Sequence, residues 1–95
     1  MAYQIVAIFK LDPSNVQLEV QRAETTGSAL RKQDGFISFD VMTPDEETVV
    51  VTQVWASQLA FFDGLNGMRE EVGQLPPPIV KSRATYGGEI AVSMC

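Results

Sequence analysis

The chain has 95 residues, 45% of them hydrophobic, with a net charge of −5, no histidine and a single cysteine, Cys95. That length is one small domain, 1–95, of a size that buries only about two-thirds of its unfolded surface and is marginal alone. The acidic balance disfavours nucleic acid; the missing histidine excludes Ser-His-Asp chemistry, His-ligated haem and most zinc sites; a lone cysteine permits neither an internal disulfide nor a cysteine metal cluster.

Residues 3–11 are rich in aromatic and β-branched types and stop at Asp12-Pro13, which predicts a strand apolar on both faces. The opening apolar run has no basic leader, ends at Lys10 and is far too short to span a bilayer, so a cytoplasmic protein with no membrane partner is expected. Asp12 can cap a helix with Pro13 in its first position; Ser14 with Gln17 is an alternative capping box. From Ser14 to about Gln33 the period turns helical, with Val16, Val20, Ala23, Gly27 and Leu30 on one face and a polar remainder. Ala23 and Gly27 leave the middle of that stripe shallow. Either the helix approaches a sheet closely there, or a cavity lies beneath it.

Asp34-Gly35 stops the helix. Phe36 to Met42 alternates as a second strand, with Phe36, Ser38, Asp40 and Met42 on one side and Ile37, Phe39 and Val41 on the other. After the polar turn 43–47, the valine-rich run Thr48 to Ala56 reads as a third strand, hairpin-paired to the second. Ser57 is an N-cap for a second helix whose apolar face is Phe61, Leu65, Met68 and Val72. Gly64 and Gly67 each weaken that helix by about 1 kcal/mol relative to alanine, and a kink or break is expected near them. Leu75-Pro76-Pro77-Pro78 ends it. Ile79 to Tyr86 reads as a fourth strand, Gly87-Gly88 as a break, and Glu89 to Met94 as a short fifth strand suited to pairing with a partner subunit.

The order β-α-β-β-α-β is the split βαβ, ferredoxin-like α+β arrangement: an antiparallel sheet with two helices on one face. Along the third strand Val49, Val51 and Trp55 cannot share a face with Val50 and Val54. Both faces are therefore apolar. Helices cover one, and the same face of a second copy is the simplest cover for the other, which predicts a homodimer with facing sheets.

The segment Gln33-Asp34-Gly35-Phe36-Ile37-Ser38-Phe39-Asp40-Val41 resembles the "epGflsfdv" stretch of antibiotic biosynthesis monooxygenase-type domains. Val49 to Phe61, with its Trp55-x-Ser57-x-x-x-Phe61 element, resembles their "vVevWeSreaF" stretch. A proline before the first helix, a proline run before the last strand and the chain length agree. The resemblance implies a dimeric α+β barrel. Some members oxidise polycyclic phenols to quinones with dioxygen and neither metal nor flavin; others degrade haem. The haem degraders use a histidine on the second helix and an asparagine on the first strand, and this chain has neither. No haem, flavin or metal cofactor is expected, since there is also no Gly-x-Gly-x-x-Gly phosphate loop.

Four residues are candidates for the chemistry. Trp55 matches the family motif and can stack on a flat aromatic substrate, or be a large core residue. Gln53 shares its face and can hydrogen-bond a substrate hydroxyl, or a backbone group or partner chain. Arg83 can favour a bound phenolate, or form a cross-strand ion pair at a solvated rim. Tyr86 and Tyr3 are the phenols available as proton donors. Asn66 and Asp40 are weaker alternatives, with turn and rim roles to set against them. A pocket between the sheet and the helices is predicted, bordered by Trp55, floored by Ala23 and Gly27 and walled by Phe61, Leu65 and Met68, for a small aromatic ligand. The functions this supports are a cofactor-independent monooxygenase acting on a small aromatic or polyketide-like compound, a non-catalytic small-ligand-binding or stress-related dimer, and a proton-transferring isomerase or lyase.

Overall fold

The computed structural model describes residues 1–73 and 79–94 of the chain. The elements are β1 (Tyr3–Lys10), α1 (Pro13–Leu30), β2 (Phe36–Asp45), β3 (Thr48–Trp55), α2 (Gln58–Val72) and β4 (Ser82–Glu89). The four strands form one antiparallel sheet in the order β2-β3-β1-β4, the ferredoxin-like α+β fold. Among the described residues no helix is long and apolar enough to cross a membrane.

Local chemistry sets the helix starts. Asp12 is the N-cap of α1, its carboxylate accepting from the Ser14 amide at 3.2 Å, and Pro13 opens the helix; the Ser14–Gln17 box is not the cap. Ser57 caps α2, its hydroxyl accepting from the Ala60 amide at 3.1 Å. Register pairs Tyr3 with Trp55, Ile5 with Gln53, Ala7 with Val51 and Phe9 with Val49, so these eight residues share the helix-covered face. Gln4, Val6, Ile8, Val50, Thr52 and Val54 share the other. Trp55, Val49 and Leu30 are fully buried, and Leu11 is 1% exposed. On the uncovered face Val6, Ile8, Val50 and Val54 are half-buried, while Met42 and Tyr86 are exposed. The third strand is apolar on both faces, as its sequence predicts.

Four expectations are corrected. The alternation over Phe36–Met42 is broken by a bulge between Phe36 and Ser38, so Phe36 faces the helices with Phe39 and Val41. Packing selects that face, because Phe36 sets its ring edge-on to Trp55 at 5.4 Å. The second helix runs unbroken through Gly64 and Gly67. Both glycines are packing sites: a Cβ on Gly64 would fall on the outer rim of the Trp55 indole, and one on Gly67 would meet the Gln33 carboxamide. The fourth strand is shifted to Ser82–Glu89 and includes Gly87 and Gly88. Gly87 pairs with Ile5 and lies beneath Tyr3, where a Cβ would stand 2.5 Å from the phenol oxygen. Residues 90–94 form no fifth strand within the chain: the Ile90 amide donates to the Ala2 carbonyl at 2.8 Å, and then Val92 and Met94 are exposed. The expected stop at Leu75-Pro76-Pro77-Pro78 lies outside the described residues.

Candidate functional site

Trp55 ends β3 at the floor of the α2 side. Phe36 meets it edge-on, Phe61 stands 6.1 Å away at 65°, and Gly64 presses on its rim. Phe61, Leu65 and Met68 close the same cluster with Ile5 and Leu30. Trp55 is thus fully buried, with Met68 buried and Phe61 and Leu65 half-buried against it. The indole N–H is directed to Gln53, whose Oε1 accepts it at 3.0 Å. Because an indole only donates, this bond settles which end of the Gln53 amide faces Trp55. The NH2 group is what Gln53 can offer to anything else.

Open volume lies under α1. A cavity of about 120 Å³ is lined by Ala7, Phe9, Glu19, Arg22, Ala23, Thr26, Phe39, Val51 and Gln53. A larger groove of about 560 Å³ runs along the α1–β2 edge past Val20, Glu24, Gly27, Arg31 and Val41. Phe39 lines both. Its ring rests against Gly27, where a Cβ would be 2.7 Å from the ring carbons. The two small residues of α1 therefore act differently: Ala23 leaves a cavity, and Gly27 admits an aromatic ring. A third, more polar hollow of about 360 Å³ lies at the start of α2, between Asp34, Ser57, Asp63 and Gly64.

Of the polar residues that line the inner cavity, Gln53 is a sequence candidate, while Glu19, Arg22 and Thr26 are not. Glu19 is 5% exposed, and its carboxylate takes a 3.5 Å contact from Arg22 Nη1 one turn on. Burial raises the Glu19 pKa above its ordinary value, against the smaller opposing pull of Arg22. A sequence signal existed: Glu19 is three residues after Val16 and four before Ala23, so it lies on the apolar stripe.

The other sequence candidates do not join this group. Arg83 pairs with Phe9 and lies exposed at the β4 edge of the helix-covered face. Tyr86 pairs with Val6 on the uncovered face and is 64% exposed, so the sheet separates it from Trp55 and Gln53. Asp40 and Asn66 are exposed. Tyr3 packs on Phe61 with ring centres 6.0 Å apart. Among the described residues, no three Asp, Glu or Cys side chains converge to hold a metal ion.

The sequence matches the antibiotic biosynthesis monooxygenase family model over residues 2–66. A candidate antibiotic biosynthesis monooxygenase of Bacillus cereus superposes with a TM-score of 0.78 at 19% identity, covering 99% of this chain and 97% of that one. The haem degrader MhuD of Mycobacterium tuberculosis, solved with two haems in its active site, gives 0.71 at 19% identity with 100% of both chains covered. SnoaB, a cofactor-independent oxygenase of Streptomyces nogalater, gives 0.69 at 14% identity over 98% of this chain and 96% of that one. At such identities the likeness establishes the fold. A search of curated protein sequences finds no significant match.

Proposed function

The chain belongs to the antibiotic biosynthesis monooxygenase family, and from that premise we propose that it oxidises a small aromatic or polyketide-like compound with dioxygen, without a cofactor, as a homodimer. The observation that carries this reading is the cavity under α1: apolar walls from Ala7, Phe9, Phe39 and Val51, with one carboxylate, one guanidinium, one amide and one hydroxyl among them. Such a site binds a ring and orients its oxygen. A bound phenol that loses its O–H proton delocalises charge onto a ring carbon, and that carbon can attack dioxygen. The carbon then gives up its hydrogen. One oxygen atom stays as a quinone carbonyl, and the other leaves as water with the two hydrogens lost; the substrate supplies all the electrons. The protein's part is orientation, water exclusion and stabilisation of the phenolate by Arg22 and the Gln53 NH2 group.

Haem does not fit this site. The sequence has no histidine for the iron, and the polar cavity holds about 120 Å³. That is close to the roughly 150 Å³ that accommodates one benzene ring, so a polycyclic ligand requires Phe39 to turn toward the α1–β2 groove. For the dimer, the support is the uncovered apolar sheet face, and residues 90–94 are proposed to pack against the partner.

Oxygen uptake over a panel of naphthols, anthrones and related phenols tests the reaction. One dioxygen consumed per quinone formed, without peroxide release, is expected. Saturable binding of these compounds with no oxygen uptake would leave the non-catalytic ligand-binding dimer, a second reading favoured by the small volume of the inner cavity.

A further inference from the structure

Leu18 is 59% exposed while its neighbour Glu19 is 5% exposed. Stability alone would choose the reverse, since burying a carboxylate is costly unless it is well paired. Among the described residues the only other buried polar side chain is Thr48, which has a lysine amine on its hydroxyl. Glu19 has a 3.5 Å contact with Arg22 and a cavity in front of it. Gln53 lines the same cavity, its carbonyl end fixed by Trp55. Both residues line this one hollow of about 120 Å³, so a single bound ring meets both. A carboxylate that accepts and an amide NH2 that donates are the two partners a hydroxyl group requires.

We infer that Glu19 is the proton acceptor of this site, taking the hydroxyl proton of an aromatic ligand whose oxygen is held by the Gln53 NH2 group; this rests on the aromatic-ligand reading above. In the step the ligand O–H bond breaks and a proton–oxygen bond forms on Glu19. The electron pair stays on the ligand as phenolate, and the net charge of the site is unchanged. Burial that raises the affinity of Glu19 for a proton moves it toward the range a base needs near neutrality. Arg22 is the one other charged group lining the cavity: β1 contributes Ala7 and Phe9, β2 Phe39, and β3 Val51 and Gln53.

The test uses 4-nitrophenol, whose phenolate alone absorbs in the visible, below the probe's own pKa in weak buffer. Wild-type protein is expected to hold the probe as phenolate with no proton released to solvent. Glu19→Gln should bind it, by equilibrium dialysis, with the ratio of bound phenolate to bound phenol down at least about tenfold, the equivalent of one pKa unit. Glu70→Gln, an exposed change on α2, should match wild type. If Glu19→Gln keeps the full phenolate band, the inference is wrong while the aromatic-ligand reading stands. If wild type binds no phenol, both fall. Should Glu19→Gln not fold, the wild-type measurement decides: proton release equal to the phenolate formed would overturn the inference.

Discussion

Glu19 links the site to stability. Its folded-state pKa is raised, so the folded chain keeps that proton to a higher pH than the unfolded chain does. The contribution is fully present below the ordinary glutamate value and is lost as pH rises through the raised one. Glu19→Gln should therefore be more stable than wild type at neutral pH, with the gap closing in acid; denaturant melts across pH measure it. The two glycines of α2 make a second residue-scale test. Each substitution by alanine gains about 1 kcal/mol of helix propensity. At Gly64 the new methyl meets a fully buried indole held by Phe36 and Phe61, and overpacking of about 1–3 kcal/mol wins. At Gly67 it meets the end of a flexible Gln33 side chain that can swing away. Gly64→Ala should lower the unfolding midpoint and Gly67→Ala should raise it. Glu19 itself is the least legible residue of the site in the sequence. Its position on the stripe is legible, but a glutamate there is ordinarily assigned to solvent, and its burial beside a cavity comes from the packing of α1 on the sheet.

At the scale of elements, runs of β-branched and aromatic residues mark β1, β2 and β3 and the 3.6 period marks both helices, and Asp12-Pro13 and Ser57 mark both helix starts. The misplacements share one cause. In sequence, glycine at 64, 67, 87 and 88 has the signature of a breaker, whereas Gly64, Gly67 and Gly87 each admit a side chain from elsewhere in the chain: Trp55, Gln33 and Tyr3. Glycine lacks a side chain as well as a conformational restraint, and one sequence does not distinguish the two uses. The bulge after Phe36 is equally non-local, because the ring follows Trp55 from the neighbouring strand. Trp55 is legible as a motif residue, but its full burial depends on Gly64 approaching it. Tyr86 and Arg83 are legible as facing opposite ways, and register bears that out.

For the whole molecule, the uncovered sheet face carries the assembly prediction. Val6, Ile8, Val50 and Val54 form its apolar centre, flanked by exposed Met42 and Tyr86. Sedimentation at micromolar concentration should give about twice the 10.4 kDa chain mass. Val54→Lys places a charge in the middle of that face and should give monomers that remain folded, read by mass and circular dichroism together.

The strand order has a consequence for how the chain comes apart. Cut in the turn between β2 and β3, it yields two β-α-β halves, one holding β1 and β2, the other β3 and β4. In the sheet order β2-β3-β1-β4 neither half contains two neighbouring strands. Every ladder, β1 to β3, β1 to β4 and β2 to β3, crosses from one half to the other. Neither half can therefore act as a folding unit by itself, and unfolding should be all-or-none, with fluorescence and circular dichroism tracing one transition. Fragments 1–46 and 47–95 should each be unstructured alone and should regain the native spectrum when mixed; a fragment with stable sheet structure of its own would show that the two halves are not interlocked in this way.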